Sequence, residues 1–260
     1  MVPGLDPALL ERVVARFREL EPTAIAVLIF GSYARGTAHE DSDLDLRAIT
    51  TGEPLVAYRT WFHERPGRKP LHVSAGAKSL KAWLAARKEP DWWTFSFPVA
   101  RTMRYAWSTE EARRELGEDP SHLLPPGEPE LEDFVEYLGK VKRCAGRGDS
   151  LGARLFAQGV GLLAPGLLRP LNDEVIVHDR REALAAALDL RVAPEHYRDD
   201  LAVCLGLVEA GDRTVHDAAL RLGLEMLAFL RERKPDVDPQ PDIAQYLADG
   251  TLERHLGFTD

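Results

Sequence analysis

Gly31-Ser32-Tyr33-Ala34-Arg35-Gly36-Thr37-Ala38-His39-Glu40-Asp41-Ser42-Asp43-Leu44-Asp45-Leu46 is the stretch on which the reading of this chain turns. Successive side chains of a strand point to opposite faces, so Asp43 and Asp45 share one face while Leu44 and Leu46 face the core. Two carboxylates this close repel each other unless a cation sits between them, and magnesium favours carboxylate and phosphate oxygens. Gly31 lets backbone approach a phosphate, and Ser32 offers a hydroxyl and, if it opens a helix, free N–H groups. Arg35 adds positive charge and Gly36 permits the next turn. Together these residues predict metal-dependent transfer from a nucleoside triphosphate. One ion would activate an attacking hydroxyl and a second would hold the triphosphate, with attack at the α-phosphorus and departure of pyrophosphate. Asp-x-Asp alone would be an ordinary solvated turn, which is how Glu40 and Asp41 are read.

Working outward, residues 7–20 place Leu9, Leu10, Val13, Val14, Phe17 and Leu20 on one helical face, with Asp6 as cap and Pro7 in the first turn. Residues 24–30 (Ala-Ile-Ala-Val-Leu-Ile-Phe) carry no charge on either face and read as a central strand covered on both sides. A short helix through Tyr33-Ala34-Arg35, a strand over 43–49, a third strand over 70–74 and a helix over 79–87 follow. Between the second and third strands, 52–68 suggests a helix or lid around Tyr58, Trp61 and Phe62. Thr109 is a candidate cap for another short helix. Trp92, Trp93, Phe95 and Phe97 read as packing between layers, with an adenine or acceptor pocket as the functional alternative. The proline and glycine cluster from Gly117 to Pro129 marks a boundary. Beyond it, 131–144, 150–163, 180–188, 194–208 and 213–233 carry helical periodicity, and only 174–178 hints at extension. The expected domains are 1–118, 128–235 as a helical bundle, and 236–260 as a mobile link with a short helix.

Composition narrows the classes. The chain has 260 residues, 45% of them hydrophobic, enough for one large core or two modest ones. Its net charge of -9 argues against non-specific nucleic-acid binding. Cys144 and Cys204 have no metal-ligand spacing and are too few for a disulfide scaffold. The start carries no apolar signal segment, and no run approaches the roughly 20 apolar residues of a membrane span. The expectation is a soluble cytoplasmic chain without membrane association.

The stretch from Gly31 to Leu46 closely resembles the signature of the nucleotidyltransferase superfamily that includes DNA polymerase beta. Both glycines, both serines (Ser32 and Ser42) and both strand carboxylates fall in the family's order. A following helical bundle resembles the minimal and aminoglycoside-nucleotidyltransferase branches. The resemblance implies an α/β mixed sheet flanked by helices, followed by an α-helical bundle domain. It implies that Gly31, Ser32, Arg35, Gly36 and Ser42 hold the triphosphate, and that Asp43 and Asp45 bind two Mg2+ ions. The family also supplies a third carboxylate from a later strand. The corresponding segment here, Leu71-His72-Val73-Ser74, offers His72, which can ligate a metal or act as a base but cannot replace the charge of aspartate. Glu64, or Glu132, Asp133 and Glu136 in the helical half, are alternative sources of a carboxylate or base.

The leading expectation is transfer of a nucleoside monophosphate, AMP from ATP, to a hydroxyl of a small-molecule acceptor selected by the helical half. The acidic balance is compatible with a cationic acceptor, and a homodimer or protein partner with the same sequence. The alternatives are a protein-modifying transferase, a nucleotide-binding regulatory protein with degenerate catalysis, and a polymerase. The last would need a continuous basic track that the sequence does not show.

Overall fold

The computed structural model describes residues 5–233, 238 and 240–258. The chain divides into two compact units, Met1–Glu89 with Ala100–Leu124, and Pro90–Val99 with Pro125–Asp260. The sequence-based break lies between 118 and 128, close to the change at Leu124, while segment 90–99 is counted with the second unit. The link expected over 236–241 falls largely outside the described residues.

The first unit opens with α1 (Pro7–Leu20), whose Asp6 carboxylate accepts the Ala8 N–H at 3.0 Å. Next come β1 (Ala24–Phe30), α2 (Gly31–Arg35), β2 (Leu44–Thr50), β3 (Tyr58–His63), β4 (Leu71–Ser79) and α3 (Leu80–Ala86). After β5 (Val99–Arg101) come β6 (Arg104–Ser108), α4 (Glu110–Leu116) and β7 (His122–Leu124). Five strands form one sheet in the order β3-β4-β2-β1-β6, with β2 and β4 parallel and the other pairs antiparallel. β5 and β7 pair separately. The uncharged β1 does lie inside the sheet, between β2 and β6.

The two faces of this sheet are covered differently. On one, α1 lays Leu9, Val13, Val14 and Phe17 over Val27, Ile29, Leu44, Leu46, Val73 and Ala75. On the other, Trp83 of α3 and Ala112 and Leu116 of α4 cluster with Ala26, Leu28 and Ile49. The second cluster occupies only part of its face, and the rows beyond it are polar.

The helix or lid expected over 52–68 is corrected to the edge strand β3. Phe62 pairs with His72, Thr60 with Ser74 and Tyr58 with Gly76. Of its side chains, Trp61 packs toward the α1 side, its ring 6.2 Å from that of Phe17, whereas Tyr58 and Phe62 are exposed. A strand anchored by one apolar residue gives almost no alternation to read. β4 also runs five residues past the expected Ser74, to Ser79, because Ala75 and Ala77 are buried beside β2. The strand β6 was not anticipated.

The second unit contains α5 (Leu131–Gly146), α6 (Ser150–Leu168), α7 (Arg180–Leu188), α8 (Tyr197–Cys204), α9 (Asp212–Arg233), α10 (Pro241–Ala248) and α11 (Thr251–Leu256). Leu131, Phe134, Leu138, Val160, Leu222, Met226 and Leu230 are fully buried in it. The expected extended segment at 174–178 reduces to a single bridge between Val99 and Val177. Asp200, 1% exposed, accepts two hydrogen bonds from the Arg221 guanidinium, tying α8 to α9. The stretch Ser150–Leu171, α6 with the short turn after it, is long and apolar enough to cross a membrane by length and composition. Half of that stretch is buried inside the fold, as in a core helix.

Phe17 is 0% exposed at the centre of the α1 face. Phe17→Ala is expected to cost about 3–5 kcal/mol in urea unfolding, the range for emptying a buried aromatic position.

Candidate active site

The carboxylates and the glycine turn are brought together by one strand pair. β1 and β2 are antiparallel with Phe30 opposite Asp45, so the chain leaves β1 beside the carboxylate. Gly31 has φ 69°, the left-handed region. A Cβ added there would lie 2.5 Å from Asp45 Oδ2, so no side chain fits without moving the carboxylate. Gly36, at φ 77°, closes α2, with its N–H donating to the Tyr33 carbonyl at 3.3 Å. Buried Tyr33 and Ala34 hold α2 in the core, and Arg104 Nε donates to the Ala34 carbonyl at 2.7 Å. Ser32 and Arg35 are half-buried on the same turn. Ser42 plays a positioning part: its hydroxyl accepts the His39 N–H at 2.9 Å, and its own N–H donates to the His39 carbonyl at 3.0 Å.

Strand register orders the polar face into rows. Asp45 is level with Ser74 of β4, which in turn is level with Thr60 of β3. Arg47 is level with Gly76 and Tyr58. The Tyr58 and Ser74 hydroxyls lie 2.6 Å apart. His72 falls two residues before Ser74, so the residue beside Asp45 is a serine. The His72 Nε2 lies 2.6 Å from Thr60 Oγ1, and its ring stacks on Phe62 with centroids 5.1 Å apart. Among the described residues no group of three or more His, Cys, Asp or Glu side chains could hold a metal ion.

Burial first, and then the charge of Asp43, raises the Asp45 carboxyl to about 6, against the pull of Arg47 and Arg35. Two half-buried carboxylates on one face suit a divalent oxygen-loving ion. Asp43 and Asp45 are the residues that would hold it.

Sequence reading named the turn and the carboxylates but passed over Arg47, Thr60 and Ser74. The period of two that pairs Asp43 with Asp45 also places Arg47 on their face, so that signal was present. Thr60 and Ser74 gain their place only from pairing across strands.

A family model described as a nucleotidyltransferase domain matches residues 10–71, and one described as a nucleotidyltransferase substrate-binding domain matches 130–232. No curated protein matches the chain. Among solved structures, a nucleotidyltransferase-like protein from Exiguobacterium sibiricum 255-15 aligns over 96% of this chain and 90% of its own, at 13% identity and a TM-score of 0.38.

Two results are expected. Gly31→Ala should retain the fold but weaken Mg2+–nucleotide binding at least tenfold by calorimetry, because the new methyl displaces the Asp45 carboxylate; unchanged affinity would separate the turn from the site. The pH dependence follows from the raised Asp45. Between about pH 4 and 6 the folded chain keeps a proton that the unfolded chain has lost, so metal-free stability falls as pH rises through this window. The increase in melting temperature caused by Mg2+ should be full above about pH 6 and fade below it. Asp45→Asn should abolish that increase at every pH. The chain carries the nucleotidyltransferase-superfamily fold, a mixed α/β sheet followed by a helical bundle.

Proposed function

We propose that this protein is a divalent-cation-dependent nucleotidyltransferase that moves a nucleoside monophosphate, AMP from ATP, onto a hydroxyl of a small-molecule acceptor. The observation that carries the reading is the placement of Gly31 against the carboxylate of Asp45, with a Cβ-to-oxygen gap of only 2.5 Å for any side chain. A backbone turn open to phosphate is thereby fixed beside an acidic pair.

In the proposed reaction, the acceptor oxygen forms a bond to the α-phosphorus, the bond from that phosphorus to the bridging oxygen breaks, and pyrophosphate leaves. Gly31 and Ser32 bind phosphate oxygens, with Arg35 and Gly36 shaping the same turn. Asp43 and Asp45 hold magnesium, which when bound supplies charge neutralisation at the phosphates. The hydroxyl proton passes to His72, whose Nε2 is anchored at Thr60 so that the other ring nitrogen carries the exchange. The helical unit, matched by a substrate-binding family model, is the part we assign to acceptor selection.

A second reading, nucleotide binding without turnover, is favoured by one observation. Ser74, and no carboxylate, stands level with Asp45 on β4.

The test is calorimetric titration of ATP, GTP, CTP and UTP, with and without Mg2+, into wild type and the Asp43→Asn, Asp45→Asn double variant. Magnesium-dependent binding of ATP that disappears in the variant is expected, followed by pyrophosphate release in an acceptor screen. Binding without pyrophosphate release from any hydroxyl acceptor would favour the regulatory reading. No binding by folded wild type would reject both.

A further inference from the structure

We propose that the site takes one divalent cation, and that the guanidinium of Arg47 stands as a fixed positive charge in place of a second. This rests on the reading of Asp43 and Asp45 as a cation site, and it departs from the two ions that the resemblance implies.

Arg47 lies on the same face as Asp45, one strand period further along β2. Its Cζ is 5.8 Å from the centroid of the Phe30 ring on β1. On the other side, its Nη1 is 2.9 Å from where a Cβ on Gly76 of β4 would be. The guanidinium therefore lies across the sheet in the row next to Asp45, in a space that exists because residue 76 has no side chain. Its Nε is buried with no hydrogen-bond partner. A polar atom withdrawn from water without a partner is uncommon in native folds and calls for an explanation. Opposite charge nearby supplies one: Asp45 lies one strand period away on the same face of β2.

The β4 flank of the acidic pair is free of negative charge. Level with Asp45 is Ser74, engaged with Tyr58; level with Arg47 is Gly76; and His72 is bonded to Thr60. Two carboxylates beside one permanent guanidinium leave charge and oxygen donors for a single divalent ion. A second would have to share the same carboxylates while facing a cation that cannot dissociate.

The test counts Mn2+ bound to the full chain, by electron paramagnetic resonance of the free ion. Wild type is expected to bind one ion per chain, and Asp45→Asn to bind it at least tenfold more weakly. The double variant Arg47→Met, Ser74→Asp exchanges the positive charge for a third carboxylate level with Asp45 and is expected to bind two. Two ions in wild type, or one in a folded double variant, would overturn the proposal. No ion in wild type would overturn it together with the cation reading itself, an outcome distinct from two. Should the double variant fail to fold, the single variants decide. Arg47→Met should raise Mn2+ affinity roughly tenfold by removing a nearby like charge, and Arg47→Lys should keep the wild-type value. Equal affinity in Met and Lys variants would reduce Arg47 to packing and overturn its role as a counter-charge.

Discussion

The antiparallel pairing that sets Phe30 opposite Asp45 is the constraint on which the candidate site depends. It ends β1 at the level of the carboxylate, and the backbone must then turn away. A left-handed residue without a side chain makes that turn, because any Cβ at position 31 would meet Asp45 Oδ2. Tyr33 and Ala34 then sink into the core, so α2 cannot drift from the strand it leaves. The phosphate-suited backbone and the acidic pair are thus products of one register, not separately placed parts. A one-residue slip of β2 would carry Asp45 to the α1 side and bring Leu44 or Leu46 to the polar face.

The same sheet explains why the acidic pair is tolerated. α1 closes one face with an apolar layer, whereas α3 and α4 close only the end of the other. Rows bearing Asp45, Arg47, Ser74 and Thr60 remain polar, yet Asp45 is withdrawn far enough from water for its carboxyl to rise to about 6. Burial of a carboxylate beside a like charge opposes the metal-free fold near neutral pH. A bound cation would relieve that opposition, and the relief would contribute to its affinity.

Much of this architecture was legible because its signals are local. Asp6-Pro7 marks the start of α1, the seven uncharged residues of β1 give a covered strand, and Gly31-Ser32 with Asp43-x-Asp45 gives the turn and carboxylates. The failures share a different cause. β3 is an edge strand whose Trp61 is the side chain packed on the core cluster, so its sequence lacks the alternation of a half-buried strand. β6 became visible only as the partner of β1. His72 drew attention as the polar residue between Leu71 and Val73, but a sequence does not state cross-strand register. Register sets Ser74 level with Asp45, and His72 two residues earlier on the same face of β4, toward Asp43.

That register bears on how charge and proton would be handled together. A guanidinium supplies positive potential without an exchangeable coordination sphere, so it cannot lower the pKa of a bound hydroxyl as a metal ion does. If Arg47 takes the place of one ion, the acceptor's proton must go to a side chain. An imidazole is suited to that exchange near neutral pH, and His72 is anchored by Thr60 and stacked by Phe62 on the same sheet face. Arg47 and His72 then form two halves of one chemical solution: the first holds charge beside Asp45, and the second moves a proton. Gly76 and Thr60 follow from it, since the first leaves the space that the guanidinium enters and the second anchors the imidazole.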